Sequence, residues 1–185
     1  MSDQEDLQDL IAGCKREDTW ARKKLYELYA PAMLGVCVRY VDEKEAARDI
    51  LHEGFIKIFT KIESYSGAGS FEGWMRKIFV TSALEYLRST KALGGTISLD
   101  SCDEAADNDN TSAVQQLSAG EIVRCINELP SGFRTVFNLY AVEGYSHAEI
   151  AQMLNIQEAS SRSQFARARQ MLQTKIRDLY KIKTG

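Results

Sequence analysis

Apolar residues recur at three- and four-residue intervals along almost the whole of this 185-residue chain, and only Pro31 and Pro130 interrupt it. That spacing stacks side chains on one face of a helix, whereas a half-buried strand needs strict alternation. Alternating Val/Ile/Thr runs are scarce, so the pattern predicts an all-α protein. It lapses once, over residues 93–117, in the stretch LGGTISLDSCDEAADNDNTSAVQQL. This segment has five acidic residues and no Lys or Arg, and little in it can bury a face. It is predicted to be a flexible acidic linker between two small helical domains, 1–92 and 118–185.

In the first domain the expected apolar stripes are Leu7, Leu10, Ile11 and Cys14, then Leu25, Leu28, Tyr29, Met33 and Val36. A third helix is expected to carry Ala47, Ile50, Leu51, Ile58, Phe59 and Ile62, with Asp42 as its N-cap and Glu45 completing a capping box. Ser70 is expected to cap a fourth helix, bearing Phe71, Trp74, Met75, Ile78, Phe79 and Tyr86. In the second domain, Pro130 suits the first turn of a helix that stops at Gly144.

Composition excludes several classes. No apolar run approaches the roughly 20 residues of a membrane helix, so no membrane insertion is expected. The N-terminus, MSDQEDLQDL, lacks the basic-then-apolar layout of a signal peptide, which predicts a cytoplasmic protein. Cys14, Cys37, Cys102 and Cys125 lie far apart with no CxxC pair. They read as reduced thiols, two or three of them in helix interiors, and not as zinc ligands. No cofactor or metal is expected. His52 and His147 are the only histidines, and no nucleophile set or phosphate loop surrounds them, so an enzyme is not expected. The net charge of −3 hides an asymmetry: residues 160–185 hold seven basic residues and one acid, Asp178. A basic C-terminal helix can meet a polyanion even when the whole chain is acidic.

Residues 146–169, SHAEIAQMLNIQEASSRSQFARAR, have the layout of a helix-turn-helix. Ser146 and Glu149 form a capping box, Ala151 is small enough for close helix approach, and Asn155 sits where the chain must reverse. Ile156 fills the corner. The second helix then presents Ser160, Ser161, Arg162, Ser163 and Gln164, with Arg167 beyond. Such a helix enters the major groove by its N-terminal end, where Arg and Gln read base edges and Ser bonds to bases or phosphates. Arg167, Arg169 and Lys175 fit phosphate contacts.

Between Ser64 and Arg88, Tyr65, Phe71, Trp74, Phe79 and Tyr86 are interleaved with Arg76, Lys77 and Arg88. Bases of single-stranded DNA stack on rings while cations follow the phosphates. Aromatics at helical spacing also fill cores, and Phe71, Ile78 and Phe79 are expected to do so.

Two helical domains, an aromatic loop and a C-terminal helix-turn-helix resemble the extracytoplasmic-function sigma factors of the sigma-70 family. The N-terminal likeness, to region 2, spans roughly Leu25 to Lys91 through DILHEGFIKIF (Asp49 to Phe59), YSGAGSFEGWMRKIF (Tyr65 to Phe79) and ALEYLR (Ala83 to Arg88). The C-terminal likeness, to region 4, spans roughly Cys125 to Tyr180. It rests on ELP (Glu128 to Pro130), FRTVFNLYAVEGYSHAEIAQML (Phe133 to Leu154) and SRSQFARAR (Ser161 to Arg169).

The resemblance implies partners and roles. Asp49 to Ile62 corresponds to the segment that docks on the β′ clamp helices of core RNA polymerase. Asp49 and Glu53 are its charged positions, with Phe55 and Phe59 supporting them. The −10 promoter element would be met by Ser64, Tyr65, Ser66, Trp74, Arg76, Lys77 and Thr81, which capture a flipped base. The −35 duplex would be read by Ser160, Ser161, Arg162, Ser163, Gln164 and Arg167. The β flap and an anti-sigma factor are further implied partners. Thr81 stands where many relatives have Asn, Glu85 where they have Asp, and Asn155 where a turn Gly is common. A conventional helix-turn-helix regulator with an N-terminal sensor would explain residues 118–185 equally, but not the docking helix and aromatic loop upstream.

Overall fold

A computed structural model describes residues 3–90 and 118–184. The expected linker lies outside the described residues, as does Cys102. Among the described residues the chain is helical with no strand. It divides into two compact units, Met1–Tyr86 and Leu87–Gly185. Described by themselves, the elements are α1 (Asp3–Lys15), α2 (Thr19–Cys37), α3 (Lys44–Lys61), a 3-10 turn (Ile62–Ser64) and α4 (Phe71–Ser89). They continue with α5 (Ala119–Asn127), α6 (Ser131–Phe137), a π-helical turn (Asn138–Val142), α7 (His147–Leu154) and α8 (Glu158–Thr184).

In the N-terminal unit α1 and α2 meet closely: a Cβ on Gly13 would lie 2.7 Å from that of Ala21. Asp18 caps α2 by accepting from the amides of Trp20 (2.8 Å) and Ala21 (3.3 Å). The predicted stripes are buried at Leu10, Ile11, Cys14, Leu25, Met33, Val36, Ala47, Ile50, Leu51, Ile58 and Ile62. Leu28, expected in the stripe of α2, is instead 60% exposed and shares an outer face with Trp20, 68% exposed. The capping box expected from Asp42 and Glu45 does not form. Helix α3 starts at Lys44 with Glu43 at its N-cap and no side-chain cap bond, and Glu45 pairs with Arg48 at 2.9 Å.

Gly54 is what lets α3 lie against α4, because a Cβ there would fall 2.2 Å from the Phe79 ring. Phe79 also meets Phe55 edge-on at 5.3 Å. Ser70 caps α4 as expected, its Oγ accepting from the Gly73 amide at 3.0 Å. Phe71 and Phe79 are core as expected, whereas Ile78 is only half-buried.

The C-terminal unit is built on Cys125, Ile126, Leu129, Phe133, Ala168 and Leu172, with Ile122, Phe137, Met171, Ile176 and Leu179 packed at the edges. Helix α8 thus supplies the core with a stripe at four-residue spacing, Ala168, Leu172 and Ile176. Pro130 occupies the N-cap of α6, one place before the expected first turn. Helix α6 then widens into the π-helical turn, a form concentrated at functional positions. Gly144 takes a positive φ of 79° and ends it, as expected. Cys14, Cys37 and Cys125 are buried and free, and burial pushes the Cys37 thiol up to about 12.

Candidate nucleic-acid interface and docking helix

On α3, Asp49, His52, Glu53 and Ile56 are all exposed, at spacings that put them on one outer face. Ile56 is 60% exposed, and this large apolar side chain beside two carboxylates was missed by the sequence reading. The i, i+4, i+7 spacing of Asp49, Glu53 and Ile56 is the signal that points to it. The underside of the helix is aromatic. Phe55 is buried between Tyr26 (4.6 Å) and Phe79, and Phe59 is half-buried with the Arg22 guanidinium 5.6 Å from its ring centre. Phe55 therefore supports the surface from within and has no face to offer a partner. Lys57 ties the helix to α4, with Nζ 2.6 Å from Glu85, 3.2 Å from Ser82 Oγ and 3.7 Å from Glu53.

The loop before α4 is held by its own hydrogen bonds. Ser64 Oγ donates to the Lys61 carbonyl (2.6 Å), Tyr65 OH to the Gly69 carbonyl (2.9 Å), and the Ala68 amide to Ser66 Oγ (3.3 Å). Gly67 and Gly69 take φ of 81° and 79°, which a side chain would resist. The Lys15 ammonium donates to the Tyr65 carbonyl at 3.3 Å, tying the loop to α1.

Tyr65 packs against Phe71 (5.0 Å) and Trp74 (5.5 Å), and Trp74 stacks on Phe71 at 23°. Phe71 is buried, while Tyr65 and Trp74 are half-buried. Phe71 is thus core, and Tyr65 and Trp74 pack on it without being fully covered. Ser64, Ser66, Lys77 and Thr81 are exposed and Arg76 is half-buried beside Glu72. Thr81 Oγ1 donates to the Lys77 carbonyl at 2.8 Å.

In the C-terminal unit the helix-turn-helix forms by the predicted local chemistry. Ser146 Oγ accepts from the Glu149 amide, and the Glu149 carboxylate accepts from the Ser146 amide at 2.8 Å. Asn155 is left-handed at φ 54°, ψ 49° and the Ile156 amide closes onto the Ala151 carbonyl at 3.0 Å. Arg162 is exposed and pairs with Glu158 one turn earlier. Ser160, Ser163, Gln164 and Arg167 are half-buried.

Ser161 departs from expectation. It is fully buried, its Oγ hydrogen-bonded to His147 Nδ1 at 2.9 Å, so it has no surface for a base or phosphate. Around that bond His147 stacks on Tyr140 (4.3 Å, 12°) and meets Phe165 edge-on (5.8 Å).

No helix among the described residues is long and apolar enough to cross a membrane. Residues 25–92 match the family model for sigma-70 region 2, and residues 119–172 match that for sigma-70 region 4. The chain is 29% identical to an ECF RNA polymerase sigma-E factor of Haemophilus influenzae, over 97% of this chain and 100% of that one. It is 26% identical to the RNA polymerase sigma-H factor of Pseudomonas aeruginosa, over 97% and 98% respectively. Among solved structures, the sigma factor RpoE of Bartonella quintana, in complex with the anti-sigma factor NepR, covers 82% of this chain and 94% of its own. Its TM-score is 0.49 at 18% identity. With both family regions matched in order and relatives aligned nearly end to end, the chain belongs to the sigma-70 family of RNA polymerase sigma factors, in its extracytoplasmic-function group.

Proposed function

We propose that this chain binds core RNA polymerase through the outer face of α3 and directs it to promoters, with α4 and its preceding loop at the −10 element and α8 at the −35 element. The observation that carries this reading is the coexistence of two unlike surfaces. One is an acidic and apolar helix face with Asp49, Glu53 and Ile56 outward, on the same unit as the half-buried rings of Tyr65 and Trp74. The other is a capped helix-turn-helix with Arg162 outward and Ser160, Gln164 and Arg167 part-exposed. An acidic face repels DNA and suits a protein partner, whereas half-open rings stack on unpaired bases. Arg and Gln on the early turns of a recognition helix suit base edges in the major groove.

The protein makes and breaks no bonds in this reading; the polymerase does the chemistry. Its place is the cytoplasm, its domains are 1–92 and 118–185, and its further partners are the β flap and an anti-sigma protein. The rival, a conventional regulator, would bind duplex specifically without polymerase. The deciding experiment is in vitro transcription with purified bacterial core polymerase on DNA from the gene's own upstream region. Discrete transcripts appearing only with the protein are expected. No transcript and no complex with core, alongside tight duplex binding by the protein alone, would hand the case to the regulator.

A further inference from the structure

The bond between His147 and Ser161 joins the two helices of the helix-turn-helix at their N-terminal ends. His147 is the first residue of α7, immediately after its capping box, so its backbone is fixed. Ser161 lies in the first turn of α8, between Ser160 and Arg162. A third element closes the arrangement. Tyr140, from the π-helical turn, stacks on the His147 ring and lies 4.5 Å from Phe165 on α8. Phe165 is one turn beyond Ser161, so α8 is gripped twice on the same side, once by a hydrogen bond and once by rings.

A helix of this kind has one rotational freedom that matters for reading DNA. Each residue steps about 100° around the axis, so a modest roll of α8 moves Arg162 and Gln164 off the base edges they face. The buried apolar stripe of α8 runs from Ala168 onward, toward its C-terminal part, and before it the apolar contact is the Phe165 ring. Near the recognition end, Ser161 is the fully buried residue, and its described polar contact is directional. A hydrogen bond fixes an angle, which apolar contact does far less well.

We propose that His147 is a positioning residue for promoter reading: through Nδ1 and the Ser161 hydroxyl it sets the rotation of the recognition helix, and so the −35 specificity, without touching DNA itself. This rests on the −35 assignment above. Burial, and secondarily the Arg162 charge, hold the imidazole below its ordinary value near 6.5. At neutral pH the ring is therefore uncharged, with one nitrogen able to donate and one to accept, which matches a hydroxyl.

The test uses the full-length protein with core polymerase and a promoter selected from random DNA by that holoenzyme, alongside the same DNA with its −35 block scrambled. The readout is the ratio of transcription from the two templates. His147→Phe keeps the stacking and removes the bond; Ser161→Ala removes it from the other side. Each is expected to lower the ratio by roughly three- to tenfold, the range of one net hydrogen bond. The double variant is expected to be no worse than the poorer single one, because both remove the same interaction. Core affinity is expected to stay unchanged. Should His147→Phe fail to fold, Ser161→Ala carries the test alone. An unchanged ratio in the single variants, with Arg162→Ala still lowering it, overturns the positioning role. Losses that add in the double variant overturn it as well. If Arg162→Ala also leaves the ratio unchanged, the −35 assignment itself is what has failed, and the positioning role falls with it.

Discussion

The two units place the residues of the proposed surfaces in opposite relation to their cores. In the N-terminal unit the proposed surfaces and the core share side chains. Phe55 and Phe71 are buried, and each braces a partly open ring, Phe59 in one case and Trp74 in the other. The outer face of α3 is only as well placed as the Gly54–Phe79 contact beneath it. In the C-terminal unit the work is divided along one helix. The early turns of α8 present Ser160, Arg162 and Gln164, and the later turns supply Ala168 and Leu172 to the core. The contrast concerns separability: on the proposed reading the exposed Arg162 can change without disturbing the packing of Ala168 and Leu172, whereas the proposed −10 and docking surfaces rest directly on buried Phe71 and Phe55.

The comparison breaks most readily at Phe79. Phe79→Ala removes a fully buried ring that meets both Gly54 and Phe55, and is expected to destabilise the N-terminal unit by about 3–5 kcal/mol. Denaturant unfolding followed by circular dichroism measures this. Core binding should fail together with −10 function. A variant that unfolds like the unaltered protein would show that the docking helix does not depend on that packing.

Trp74 gives the next effect. Trp74→Ala is expected to weaken open-complex formation by about 1–3 kcal/mol, the worth of one base stacked on a ring. Permanganate reactivity of the melted strand reads it. Trp74→Phe should recover most of the loss, and equal defects in the two variants would return the ring to a purely structural role.

Ser146→Ala should cost the C-terminal unit about 0.5–2 kcal/mol, because the box it forms with Glu149 satisfies two amides at the start of α7. Thermal unfolding measures it, and a melting curve identical to the parent would mean the cap is dispensable. The smallest effect is a pH dependence. His147 is held below its ordinary value by burial and by Arg162, opposed by Glu158. The folded unit therefore prefers the neutral ring. Its contribution is complete above about pH 6.5 and is lost as pH falls through the lowered folded value. His147→Phe should flatten that slope of stability between pH 7 and 5, and a slope unchanged by the substitution would assign it to other groups.

Much of this was legible in the sequence because the chemistry is local. Ser146 and Glu149 are three residues apart, Asn155 tolerates the left-handed turn by itself, and Ser70 caps the helix that follows it. What failed depends on neighbours distant in sequence. Leu28 fits the apolar spacing of α2 but lies outside the face its neighbours cover. Asp42 and Glu45 have capping-box spacing, yet α3 begins at Lys44 and Glu45 is held by Arg48. Ser161 sits in a run of small polar residues, and only His147, fourteen positions earlier, turns it inward. The clash awaiting a Cβ at Gly54 depends on Phe79, twenty-five positions away, so local spacing gives no hint of it.

The central claim is that polymerase docking and −35 reading are carried by different surfaces on different units. The most direct measurement pairs Asp49→Lys/Glu53→Lys with Arg162→Ala, scoring affinity for core polymerase and −35-dependent transcription for each. The account predicts that the charge reversal on α3 weakens core binding at least tenfold, on the order of 1.4 kcal/mol, while Arg162→Ala leaves it intact and lowers only −35 dependence. Core affinity unmoved by the reversal, or lowered equally by Arg162→Ala, would contradict it.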